Sequence, residues 1–210
     1  PEYSAAIMRG IPVISRADFL GYIMTEYKRR IGISGMHGKS TCTSMCAEMF
    51  LTASGCCGMP EPTVVSGAEY SSMGGAYYLG GHDDFIFEAC EYMDSFLDFN
   101  PTVAVLLNAE MEHVDYFKSI EHIQRSFAKY ASLVGDEGTV IYNADDANIA
   151  LAISEIRAKK ISFGLKNNAD FTASNVQSCQ YPMEFDIMLH GDFFAHIALP
   201  SRGIHNVYNA

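Results

Sequence analysis

The chain has 210 residues, 49% of them hydrophobic and 19% charged, which is long enough for one sizeable core. Its 25 acidic residues against 14 basic ones give a net charge of −11, which disfavours nucleic acid or an anionic membrane as partner. No apolar run is long enough to span a bilayer and no signal-peptide pattern opens the chain, so a cytoplasmic protein is expected.

The first thirty residues differ from the rest. Ile11-Pro12-Val13-Ile14 reads as a short strand, Ala17 to Tyr27 has helical apolar spacing (Phe19, Leu20, Ile23, Met24, Tyr27), and Lys28-Arg29-Arg30 suits a phosphate patch but reads better as a solvated basic joint. From Ile31 onward strands and helices alternate, which predicts an α/β layered domain with a mostly parallel sheet flanked by helices. The expected strands are Ile31–Ser34, Thr63–Ser66, Phe85–Phe87, Thr102–Leu107, Thr139–Tyr142 and Lys160–Phe163. The expected helices are Lys39–Ala53, Ser119–Val134 and Asp146–Arg157, with Gly74, Gly75, Gly80 and Gly81 marking a loop or hairpin. After Gly164, Phe171–Val176, Met183–His190 and Phe193–Leu199 alternate in polarity as in a small antiparallel meander. The chain then runs into Gly203–Ala210, which reads as the opening of a helix without a stop signal, so the sequence is expected to be a fragment.

The six cysteines are Cys42, Cys46, Cys56, Cys57, Cys90 and Cys179. Cys42 and Cys46 lie one helical turn apart, but no C-x-x-C pair or close histidine completes a metal site, and buried free thiols are expected. Cys42, Met45, Cys46, Met49 and Phe50 share the spacing of a buried stripe.

The densest chemistry lies in Ile31-Gly32-Ile33-Ser34-Gly35-Met36-His37-Gly38-Lys39-Ser40-Thr41. An apolar strand runs into a glycine-bracketed turn, and Lys-Ser-Thr opens a helix. Such a turn aims backbone N–H groups and a helix N-terminus at one point, where a phosphate is held. Lys39 can reach the outer phosphates and the Ser40 hydroxyl can hold Mg²⁺, so the segment reads as an ATP site, although Ile33 stands where the full phosphate-loop pattern has its first glycine. His37 lies inside the loop, where phosphate contact and loop packing both suit it.

Two strand ends add acids. Phe85-Ile86-Phe87 runs into Glu88-Ala89-Cys90-Glu91, making Glu88 either a metal ligand or a surface carboxylate. Val103–Leu107 runs into Asn108-Ala109-Glu110-Met111-Glu112-His113-Val114-Asp115, where His113 suits a metal ligand or a packed histidine. All three segments would meet at one edge of a parallel sheet, and their joint reading is a two-metal phosphoryl-transfer site. His82, His122, His190 and His196 fit loop or surface positions.

Together these residues resemble the Mur ligases, ATP-dependent amide-forming enzymes of peptidoglycan synthesis. The likeness rests on Gly35–Thr41, whose loop also lacks the first glycine in that family, and on Glu88–Leu97, Asn108–Asp115 and Gly203–Ala210, which match later motifs in order. Met36 and Ser40 replace the threonines commonest in the family's loop, and the serine keeps the hydroxyl. The resemblance implies that Lys39 stabilises the γ-phosphate and that Ser40, Glu88 and His113 hold Mg²⁺. It also implies that Gly35 to Thr41 cradle the phosphates, and that His205, Asn206 and Asn209 lie near the adenine and ribose. Other branches use a carbamylated lysine near Ala128, and none is assigned here.

Within the family, Ile11–Asp18 and Glu88–Leu97 resemble the branch that joins UDP-N-acetylmuramate to L-alanine. That likeness implies a division into residues 1–30, the tail of an N-terminal UDP-sugar domain with its linker, and residues 31–210, a central ATP-binding domain. It further implies an acyl-phosphate mechanism and no amide formation by the fragment alone. The alternatives are another amide ligase of the superfamily, of the muropeptide-recycling or folylpolyglutamate type, and a non-catalytic nucleotide-binding module.

Overall fold

The computed structural model describes residues 1–70 and 73–210. Its centre is β1 (Arg29–Ser34), paired in parallel with β4 (Asp84–Glu88) on one side and β5 (Val103–Leu106) on the other. Beyond β4 lie β2 (Thr63–Tyr70) and β3 (Gly75–Tyr78), the latter antiparallel. Beyond β5 follow β6 (Thr139–Asn143) and β7 (Lys159–Gly164), both parallel. The described strands form one sheet in the order β10-β9-β8-β7-β6-β5-β1-β4-β2-β3.

The alternation of β1 assigns its two faces. Ile31 and Ile33 pack with Val64, Ile86 and Ala47, the last from α3 (Lys39–Cys57). The opposite face carries the main core of Phe85, Phe87, Phe96, Phe127 and Tyr130, with Ile123 and Phe127 from α4 (Ile120–Ser132). Gly32 sits under that core, where an added Cβ would lie 2.1 Å from the Tyr130 hydroxyl and 2.6 Å from the Phe87 ring. The chain passes from β4 across β1 to β5, so the carboxyl ends of these three strands open the crevice in which α/β sheets bind ligands.

Several expectations change. Residues 11–14 form no strand: they are exposed, they have no strand partner among the described residues, and Pro12 lacks an N–H. Helices α1 (Glu2–Met8) and α2 (Arg16–Met24) flank that segment, and α2 ends with Met24 fully buried in the main core. Lys28-Arg29-Arg30 is not a free joint. Arg29 and Arg30 open β1, Lys28 pairs with Asp83, and the Arg29 guanidinium holds Asp84, whose side chain is 3% exposed. The stripe on α3 shifts as well, because Met49 is exposed while Thr43 and Ala47 are buried. The expected third helix is short, with α5 spanning Ala147–Ala152 from an Asp146 cap.

The C-terminal strands are β8 (Phe171–Ser174), β9 (Met183–Leu189) and β10 (Asp192–Leu199). They run antiparallel to one another, and β8 joins β7 in parallel, so the meander extends the main sheet rather than standing apart. All six cysteines are free, but only Cys42 and Cys46 are withdrawn from solvent, where burial first and their neighbours second raise both thiols to about 12. Cys56, Cys57, Cys90 and Cys179 are exposed, against expectation.

Candidate active site

The loop after β1 is held from the side by Asn108. Its backbone carbonyl accepts from Met36 N at 3.2 Å, its Oδ1 accepts from His37 N at 2.8 Å, and its Nδ2 donates to His37 O at 2.9 Å. Met36 itself is 4% exposed and packs in the core. Two loop N–H groups are thus already occupied. The first turn of α3, carrying the N–H groups of Lys39, Ser40 and Thr41, has no intrahelical acceptors and is left for an anion. Gly38 caps that turn at φ +86°, a left-handed conformation suited to glycine.

Lys39 folds back over the loop. Its Nζ donates to Gly35 O at 2.6 Å and Met36 O at 3.3 Å. Nζ also lies 3.2 Å from Glu91 Oε1 and 3.0 Å from Oε2. The Glu91 side chain is fully buried, and its Oε1 also meets His113 Nε2 at 3.2 Å. Beside Lys39, Ser40 Oγ donates to Glu88 Oε2 at 2.9 Å, and Gly67 N donates to the same oxygen at 2.9 Å. The Tyr70 hydroxyl closes this side with a short hydrogen bond to Ser40 O.

Glu88 and His113 therefore lie on the same carboxyl edge, one contacting Ser40 and the other reaching Lys39 through Glu91. Among the described residues no three His, Cys, Asp or Glu side chains converge as a ready metal cage. Ser40 and Glu88 instead offer two oxygens side by side at a helix N-terminus. That donor set fits Mg²⁺, a hard cation that takes one or two protein oxygens and completes its shell with phosphate and water.

The segments after β4 and β5 are latched together. Tyr92 Oη donates to Asp115 Oδ2 at 2.5 Å, and Tyr116 Oη donates to Asp94 Oδ2 at 2.8 Å, a reciprocal pair of tyrosine–aspartate bonds. Ser126 adds a short bond to the other Asp94 oxygen. Met93, Asp94 and His113 have φ of +54°, +58° and +50°, and such left-handed conformations cost a non-glycine residue on the order of 1–3 kcal/mol each.

On the other side of the loop a cavity of about 220 Å³ is lined by His37, Gly38, Asn108, Asn143, Phe163, His205, Tyr208 and Asn209, among others. His205 and Asn209 come from α6 (His205–Asn209). Asn206 is buried, and its amide donates to Ser201 Oγ at 2.6 Å and Arg202 O at 2.9 Å, so it braces α6 and does not line the cavity. Tyr208 Oη donates to Asp145 Oδ2 at 2.8 Å. Burial first, and then the bond to Asp145, pushes the Tyr208 hydroxyl up to about 12.

Sequence reasoning gave no role to Glu91, Asn108, Asn143 or Tyr208. Glu91 had a signal, an acid three residues beyond a strand-end acid, but its burial against Lys39 and His113 is decided by the folding of separate segments. Asn108 was visible only as one polar group in a crowd.

The family profile described as the Mur ligase middle domain matches residues 33–210. The chain belongs to the Mur ligase family. It is 42% identical over 212 residues to the UDP-N-acetylmuramate–L-alanine ligase of Caldicellulosiruptor saccharolyticus, covering all of this chain and 45% of that protein. The Mur ligase chain thus spans about half the length of the curated relatives it matches. Among solved structures, the UDP-N-acetylmuramate–alanine ligase of Thermotoga maritima matches with a TM-score of 0.81 and 22% identity, over 100% of this chain and 46% of that one. The UDP-N-acetylmuramate:L-alanyl-γ-D-glutamyl-meso-diaminopimelate ligase of Neisseria meningitides matches with a TM-score of 0.81 and 23% identity, over 99% and 66%. At those identities the structural likeness shows a shared fold.

Proposed function

We propose that this chain is the nucleotide-binding part of an ATP-dependent ligase that joins the lactyl carboxylate of UDP-N-acetylmuramate to L-alanine. The observation that carries this reading is the phosphate loop whose Ser40 meets the strand-end acid Glu88 and whose Lys39 meets Glu91, three residues further on. The 42% identity along this whole chain to part of a ligase of that name supports the choice of substrates. In this reading residues 1–30 are the tail of a UDP-sugar domain with its linker, and residues 31–210 are the central ATP-binding domain.

A carboxylate is a poor acceptor of an amine because it has no leaving group. Transfer of the γ-phosphoryl group of ATP to a carboxylate oxygen breaks the bond to ADP and makes an acyl phosphate. The amine then attacks the acyl carbon, losing a proton as inorganic phosphate departs. Lys39 neutralises charge on the γ-phosphate, and the first-turn N–H groups of α3 hold the phosphate chain. Ser40, Glu88 and His113 are the residues that would hold Mg²⁺, which supplies charge neutralisation between phosphates when bound. His205 and Asn209 line the cavity assigned to the adenine and ribose.

Phosphate release with ATP, UDP-N-acetylmuramate and L-alanine tests the reading on the full-length protein. Turnover that requires L-alanine is expected, with Lys39→Ala lowering it a hundredfold or more, the scale on which one preorganised cation acts. Turnover with a tripeptide in place of L-alanine, or none with either, overturns it. The 210-residue chain alone is expected to show no amide formation, because acceptor and donor are then not held in attack geometry.

A further inference from the structure

Glu91 is a carboxylate with no solvent exposure, placed between the Lys39 ammonium and the His113 ring. A buried carboxylate is retained only with charged or hydrogen-bonding partners, and Glu91 has Lys39 and His113. The Tyr92–Asp115 and Asp94–Tyr116 bonds tie its segment to the one bearing His113, and the Tyr92 ring lies 4.8 Å from the imidazole. The His113 ring is thus fixed from two sides. Its Nε2 faces Glu91, while Nδ1 has no hydrogen-bond partner among the described residues.

We propose that Glu91 is a positioning residue: it holds His113 by Nε2, leaving Nδ1 as the ring nitrogen that would take a metal, and it keeps Lys39 over the loop beside it. The proposal rests on the phosphoryl-transfer reading above and adds a residue to which that reading gives no role. The physical basis is general. A metal-binding histidine whose other ring nitrogen is held by a carboxylate is fixed in tautomer and orientation, and loss of such a partner costs 10–100-fold in metal affinity.

The test is ADP binding by the full-length protein, followed by calorimetry across a Mg²⁺ titration, with the thermal unfolding midpoint as a check on folding. Glu91→Ala is expected to raise the Mg²⁺ concentration at half-maximal effect by about tenfold or more. In a His113→Ala background the same substitution should add little to the Mg²⁺ shift, because the effect of Glu91 on the metal passes through His113. Glu91→Gln keeps the volume and one oxygen for His113, and it should give a smaller shift in the same direction. An unchanged midpoint in folded Glu91→Ala, or an equal shift with and without His113, overturns the proposal. If Glu91→Ala does not fold, an unchanged midpoint in Glu91→Gln overturns it. Absence of Mg-ADP binding by the wild type would instead overturn the nucleotide reading itself.

Discussion

At the scale of single residues, buried polar groups reveal what the core tolerates and what the site requires. Lys39 and Glu91 are both largely withdrawn from water, so each is the other's main compensation, and breaking such a pair costs more than the pair contributes. Tyr130 shows the opposite case. Its ring stacks on Phe96 with centroids 4.5 Å apart at 4°, yet its hydroxyl is buried without a hydrogen-bond partner among the described residues, and burial drives that hydroxyl's pKa up. Nothing in the site uses it. Tyr130→Phe removes an uncompensated desolvated group and keeps the stack, so a gain of about 1 kcal/mol in urea unfolding is expected. A loss of that size would mean that the hydroxyl has a bound partner in solution.

At the scale of elements, the loop between β1 and α3 is where sequence and geometry constrain each other most tightly. Gly38 has φ +86°, and a Cβ there would lie 2.5 Å from Asn209 Oδ1. The mutation Gly38→Ala forces a left-handed alanine, a conformation that costs roughly 1–2 kcal/mol, and displaces the Asn209 amide that lines the cavity. It should lower stability by about that amount and weaken ADP binding, whereas Gly55→Ala on the same helix, with open space around its Cβ, should spare binding. Equal effects of the two substitutions in calorimetry would contradict this account of the loop.

At the scale of the whole molecule, Asp145 ties the extended half of the sheet to the helix that lines the cavity. It accepts from Leu165 N at 2.6 Å, Lys166 N at 2.9 Å and Asn167 N at 2.7 Å, as well as from Tyr208. Burial by itself would raise its pKa, but the four hydrogen bonds to the charged form outweigh it and hold the carboxyl below its ordinary value. A folded pKa below the unfolded value of about 3.9 means that Asp145 stabilises the fold above that pH, and the contribution is lost as pH falls through the folded value. The stability gap between wild type and Asp145→Asn should therefore be full at pH 6 and narrow steadily below about pH 4. A gap that stays constant across an acid series of unfolding curves would show that the charge plays no part.

The strand and helix alternation, the phosphate loop and the strand-end acids were legible because they are local: a period, a glycine spacing, an acid after an apolar run. Resemblance to the Mur ligases was legible for the same reason, in four short segments whose order survives without a fold. The true place of Arg29 was not, because an arginine in a basic triplet reads as solvated until β4 brings Asp84 beside it. Residues 11–14 show the converse, since a strand-like pattern becomes a strand only where another strand offers hydrogen bonds. Glu91 is the strongest case. From sequence it is one acid among several, and its meaning comes from contacts with Lys39, 52 residues away, and with His113 across another strand. Local sequence determines which groups a chain carries and what each can do, while pairing of distant segments decides which charges are buried together, since burial makes their interaction strong.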